Sequence, residues 1–160
     1  MHVLAFLLAA TTHSPAWTPT QADSPLKSLT ACAVVTRAEV EDALGRPVLA
    51  GVEHKDAAQS TCDYTAGDGE ITIALVHSSS KLDAEAEVAE LRKLLPAGVV
   101  HDAQGIGARA FFVDIPYAGA QLHVLRGDHD YLMVSVLGLG GPAQVSDTAT
   151  RIARKALGRL

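Results

Sequence analysis

Twice along this chain, three short runs of strand-forming residues follow one another with only turn residues between them. The first set is Val48 to His54, Cys62 to Thr65 and Glu70 to His77; the second is Ala108 to Ile115, Ala120 to Arg126 and Tyr131 to Leu137. Within Glu70 to His77, Ile71, Ile73 and Leu75 alternate with Thr72, Ala74 and Val76, a period of two with apolar side chains on both faces. The turns at Gly67-Asp68-Gly69, Pro116 to Gly119 and Gly127 to Asp130 are too short for a parallel crossover, so each set pairs antiparallel. Helical signals separate the sets. Thr36-Arg37-Ala38-Glu39 reads as a capping box that opens a short helix, and Gly45 with Pro47 ends it. Ala84, Val88, Leu91 and Leu95 form a stripe at helical spacing from Leu82 to Leu95, and Pro142 opens a helix that runs to Leu157. The order helix, three strands, helix, three strands, helix predicts an α+β domain. Its meandering, mostly antiparallel sheet has about six strands in two triplets, with three helices packed against it.

The two cysteines, Cys32 and Cys62, frame the first helix and the first strand, and Cys62 opens the second. Residues 1–22 carry an apolar run, Val3 to Thr12, shorter than a membrane span and followed by Pro15 and Pro19, as in an export signal that lacks a basic start. Residues 23–30 then read as a linker and 31–160 as one domain. Leu29-Thr30-Ala31-Cys32 fits a lipobox, which would place a lipid anchor at Cys32, but the polar stretch Gln21 to Ser28 separates it from the apolar run. The other use of the pair is a disulfide, in keeping with an oxidising compartment. Closing that loop would contribute about 3.6 kcal/mol by chain entropy. Neither cysteine has the neighbours of a zinc site, and no metal or other cofactor is expected.

Charge narrows the partners. The net charge is -5 and aromatic residues are 4% of the chain, a poor match to a phosphate backbone or to stacked bases, so nucleic acid is not expected. No run is long enough for a transmembrane helix.

The run Ala31-Cys32-Ala33-Val34-Val35-Thr36, Glu39-Val40 and Ala43-Leu44-Gly45, followed by Thr61-Cys62-Asp63-Tyr64, resembles an actinobacterial family of secreted proteins and lipoproteins of unknown function. Gly105-Ile106-Gly107 with Ala110-Phe111-Phe112 resembles a later element of that family, and the similarity spans Thr30 to Leu157. The resemblance implies an exported domain of the cell envelope with no accepted activity.

Motifs for chemistry are sparse. Gly105 to Ala110 and Gly138 to Ala143 match GxGxxA, yet the first runs into a strand and the second lies too near the C-terminus for a dinucleotide-binding unit. Gly140 and Gly141 could still present free N–H groups to a small anion at the helix start. Ser24 to Lys27 and Ser78 to Lys81 match SxxK without the partner motifs of penicillin-recognising enzymes. His123, Asp128, His129 and Asp130 are the remaining candidate site, three of them on one hairpin turn. The sequence therefore leans away from an enzyme. It points to a secreted or envelope domain that binds a small apolar ligand or a protein partner. The alternatives are a small hydrolase using His123 with Asp128 or Asp130, and an assembly module that docks a protein through a sheet edge.

Overall fold

A computed structural model of the chain describes residues 28–106 and 109–160. Its elements are α1 (Ala31–Val34), α2 (Arg37–Leu44), β1 (Val52–Lys55), β2 (Gln59–Ala66), β3 (Gly69–His77), α3 (Ala84–Leu94), β4 (Val100–Asp102), β5 (Ala110–Ile115), β6 (Gly119–Arg126), β7 (Asp130–Leu137) and α4 (Pro142–Leu157). The expected export signal at 1–22, residues 23–27 of the linker with the Ser24 to Lys27 motif, and Gly107 and Ala108 lie outside the described residues. The strands form one antiparallel sheet in the order β1-β2-β3-β7-β6-β5-β4. The fold is therefore α+β with a meandering sheet, built from a triplet and a quartet rather than two triplets.

The additions to the expected plan are short elements fixed by tertiary partners. β4 has three residues, pairs with β5 alone, and is too brief to show an alternating pattern. α1 is a single turn whose first N–H groups are satisfied from elsewhere in the chain. Ala31 N–H donates to Ser60 Oγ at 2.8 Å and to Glu53 Oε1 at 3.2 Å, and Cys32 N–H donates to Glu53 Oε2 at 2.9 Å. β2 starts three residues before the expected Cys62 because Asp56 makes a tight turn, accepting from the N–H groups of Ala58 and Gln59 at 2.7 and 2.8 Å.

α2 follows its sequence signals closely. The Glu39 carboxylate accepts from both the backbone N–H and the hydroxyl of Thr36. Gly45 ends the helix at φ 77°, a left-handed conformation that a side chain disfavours.

One sheet face carries the main core. Ile71, Ile73 and Leu75 of β3, Leu132, Val134 and Val136 of β7, and Leu122 and Val124 of β6 are buried there in one cluster with Val145, Ala149, Ile152, Ala153 and Ala156 of α4. Burying each larger side chain contributes about 1.5–3 kcal/mol, so this face supplies most of the driving force for folding. The end of α4 also secures α1 and α2. Arg159 forks onto Glu39 at 2.7 and 2.8 Å and donates to the Val34 carbonyl at 2.7 Å, while Arg151 donates to the carbonyls of Asp42 and Ala43. The Arg159 guanidinium holds the Glu39 carboxyl down to about 2.

Cys32 and Cys62 form a disulfide, with their Cα atoms 5.0 Å apart, that ties α1 to β2. Gly51 crosses so close to it that a Cβ there would lie 2.7 Å from Cys62 Sγ and 2.8 Å from the Tyr64 ring. Replacing both cysteines by alanine is expected to lower the unfolding free energy by about 3.6 kcal/mol, the loop-closure figure, in urea titrations with an unchanged far-UV spectrum. A loss below about 1 kcal/mol would mean that Glu53 and Ser60, not the disulfide, hold α1 in place.

Candidate ligand groove

The second sheet face is only partly covered. Strand alternation sends Thr61, Ala74, Met133, His123 and Phe111 to this face as one row across β2, β3, β7, β6 and β5. α3 covers the β4 to β6 end, where Leu82, Val88, Leu91 and Leu95 pack against Val100, Phe111, Leu125 and Tyr131. Asp83 starts this helix by accepting from the N–H groups of Glu85 and Ala86 at 3.1 Å.

Between α3 and the β4–β5 edge lies an open groove of about 460 Å³. Phe111, Ala84 and Val88 form its apolar floor and side, and the small side chain of Ala89 widens it. Charged groups stand at the rim. Arg92 bridges Asp102 at 3.3 Å, Glu85 is exposed, and Arg109 donates to the Gly127 carbonyl.

Behind the floor, the His123 ring lies parallel to the Phe111 ring, with centroids 4.9 Å apart and 1° between the planes, and Tyr131 stacks more loosely at 6.1 Å. Among the described residues, His123 Nε2 and Ser135 Oγ are the buried side-chain polar atoms without a hydrogen-bond partner. Burial pushes the His123 imidazole down to about 4.

The structure separates His123 from the turn residues it was grouped with. Asp130 projects to the opposite sheet face, in register with His77 and Arg126, and its carboxylate meets His77 Nδ1 at 2.6 Å. His129 Nδ1 faces the carbonyls of Ser78 and Ser80 at 3.1 and 3.2 Å, so that nitrogen carries the proton; Asp128 pairs with Lys81 at 3.3 Å. The turn is a clasp between the β6–β7 hairpin and the segment leading into α3, reinforced by the Ser78 and Leu82 N–H groups donating to the carbonyls of His129 and Asp128. His77 itself borders a recess of only about 20 Å³, the size for a water. At the start of α4, the Gln144 side chain folds back over Gly140, its Oε1 being 2.3 Å from where a Cβ on that glycine would stand, while Gly141 remains open. The sheet edges are short and polar: β1 presents Glu53, His54 and Lys55, and β4 presents His101 and Asp102, which discourages strand addition.

No family model matches the chain, and comparison with curated proteins and with solved structures finds no similar one.

Apolar residues on both strand faces point to a partly uncovered groove, but local signals neither locate it nor single out Arg109. The Ala84 and Val88 stripe and the Ala110-Phe111 pair were visible in the sequence, but only the sheet order brings them together.

His123 generates a pH prediction. An unfolded imidazole titrates at 6.5 and the folded one at about 4, so the unfolded chain binds the extra proton between those values. Stability is full above pH 6.5 and falls as pH drops towards 4, by roughly 3 kcal/mol over the window. His123→Phe is expected to remove this part of the slope in urea titrations at pH 7.5 and 4.5. An equal acid loss in that variant would place the sensitive group elsewhere.

Proposed function

We propose that this chain is an exported, non-enzymatic binding domain of the cell envelope that holds a small apolar ligand in the groove beside α3. The observation that carries the reading is the groove itself: about 460 Å³, inside the range of small-molecule sites, with an apolar floor and a charged rim. Support for export comes from the Cys32–Cys62 disulfide, a bond that persists in oxidising compartments. Among the described residues, no helix is long and apolar enough to cross a membrane. The likeness of the Cys32 and Cys62 segments to secreted actinobacterial proteins belongs to the same reading.

Titration with N-phenyl-1-naphthylamine, a neutral apolar fluorophore, tests it. Saturable one-to-one binding is expected, together with at least a tenfold loss in Ala89→Trp, where the indole fills the groove from an exposed helix position. Absence of saturable binding, or unchanged binding by Ala89→Trp, would overturn the proposal.

A further inference from the structure

We infer that the ligand is an anionic amphiphile, an apolar body bearing a single carboxylate, and that Arg109 holds its head group. The inference rests on the groove reading and adds the chemical class of the occupant.

Among the described residues, Arg109 is the basic group of the lining without a carboxylate partner. Arg92, the other basic group of the lining, meets Asp102. Arg109 is half-buried and has no carboxylate within ion-pair distance among the described residues; its side chain donates to the Gly127 carbonyl alone. A guanidinium has five N–H donors in a planar fork, so most of its capacity is unspent. The nearby acids do not compensate it. Asp102 is engaged by Arg92, and Glu85 is an exposed, solvated group on α3. A partly desolvated cation in this position gains from an incoming anion that can accept two of its hydrogen bonds.

Position links that charge to the apolar floor. The Arg109 carbonyl accepts from Leu125 N–H at 2.9 Å, which extends the β5–β6 register by one residue and fixes the backbone. Arg109 and Phe111 are two residues apart on that extended segment and so share a sheet face. A ligand lying along Phe111, Ala84 and Val88 therefore reaches Arg109 with one end. A carboxylate fits both demands, since it is planar, matches the fork, and tolerates an apolar chain beside it.

The test uses the full chain at pH 7.5, with bound N-phenyl-1-naphthylamine displaced by dodecanoate or by dodecan-1-ol, both below their aggregation limits. Dodecanoate is expected to displace the probe at a concentration at least tenfold lower than the alcohol. Arg109→Gln should abolish that preference, the charge-assisted bond being lost. Arg109→Lys, which keeps the charge but not the fork, serves as the second variant and should retain a reduced preference. Equal displacement by acid and alcohol, failure of both to displace bound probe, or a preference that survives in Arg109→Gln would overturn the inference and leave the groove reading standing. No binding of the probe to the wild-type chain would overturn both.

Discussion

The β3–β7 ladder is the pairing on which the other elements depend. Each meander is local, its strands joined by turns, but β3 and β7 are about sixty residues apart in sequence and meet over eight paired positions from Glu70↔Leu137 to His77↔Asp130. At its centre Ile71, Ile73 and Leu75 stand opposite Val136, Val134 and Leu132, all essentially buried. The closure entropy of so long a loop is offset by that apolar contact and by the backbone bonds of the ladder. α4 then lies across β6 and β7, and α1 reaches β1, β2 and β3, so the helical layer bridges the seam from both sides. The disulfide acts within the first half only. It fastens α1 to β2, and Arg159 completes the attachment by joining α4 to Glu39 of α2.

The same ladder decides where a groove can form. Because successive residues alternate between faces, fixing Ile73 against Val134 also sends Ala74 and Met133 to the other side. Among the described residues, that side has a single helix. α3, at eleven residues, is roughly 16 Å long, whereas the edge strand β4, at three residues, is roughly 10 Å. The helix outruns the strand it covers, and small residues stand where the two diverge. The groove follows from this mismatch, so it depends on the brevity of β4 as much as on any lining side chain.

This explains what the sequence could and could not reveal. Period-two alternation in Glu70 to His77, the stop at Gly45 and Pro142 at the start of α4 are local signals with local causes, and the structure carries all of them. α1 was illegible because its first turn is satisfied by Glu53 and Ser60, more than twenty residues away. β4 was illegible because three residues cannot display a period. The grouping of His123 with Asp130 relied on proximity along the chain, and strand alternation set them on opposite faces; residue spacing identified the turn but not its partner, the Ser78 to Leu82 segment. Arg109 gave no signal because an arginine's lack of a counter-ion exists only in three dimensions.

His123 shows how the groove's shape and the fold's stability are linked. A polar ring whose Nε2 is left unpaired weakens the sheet, since a buried unsatisfied nitrogen costs about 1–3 kcal/mol, and Ser135 Oγ adds a second such atom on the same face. An aliphatic residue at this position would avoid that cost. It would not, however, present a flat surface to Phe111, whose ring lies within 1° of parallel to the imidazole. Phe111 is the largest apolar side chain in the groove lining, and the ring behind it sets its tilt; a tilted phenyl would narrow the space left by Ala84. Neutral histidine supplies the planar support without a counter-charge, and its lowered pKa keeps it neutral across the pH range in which the fold is most stable. On this argument the two unsatisfied atoms are a local loss of stability retained where the floor of the groove must stay flat.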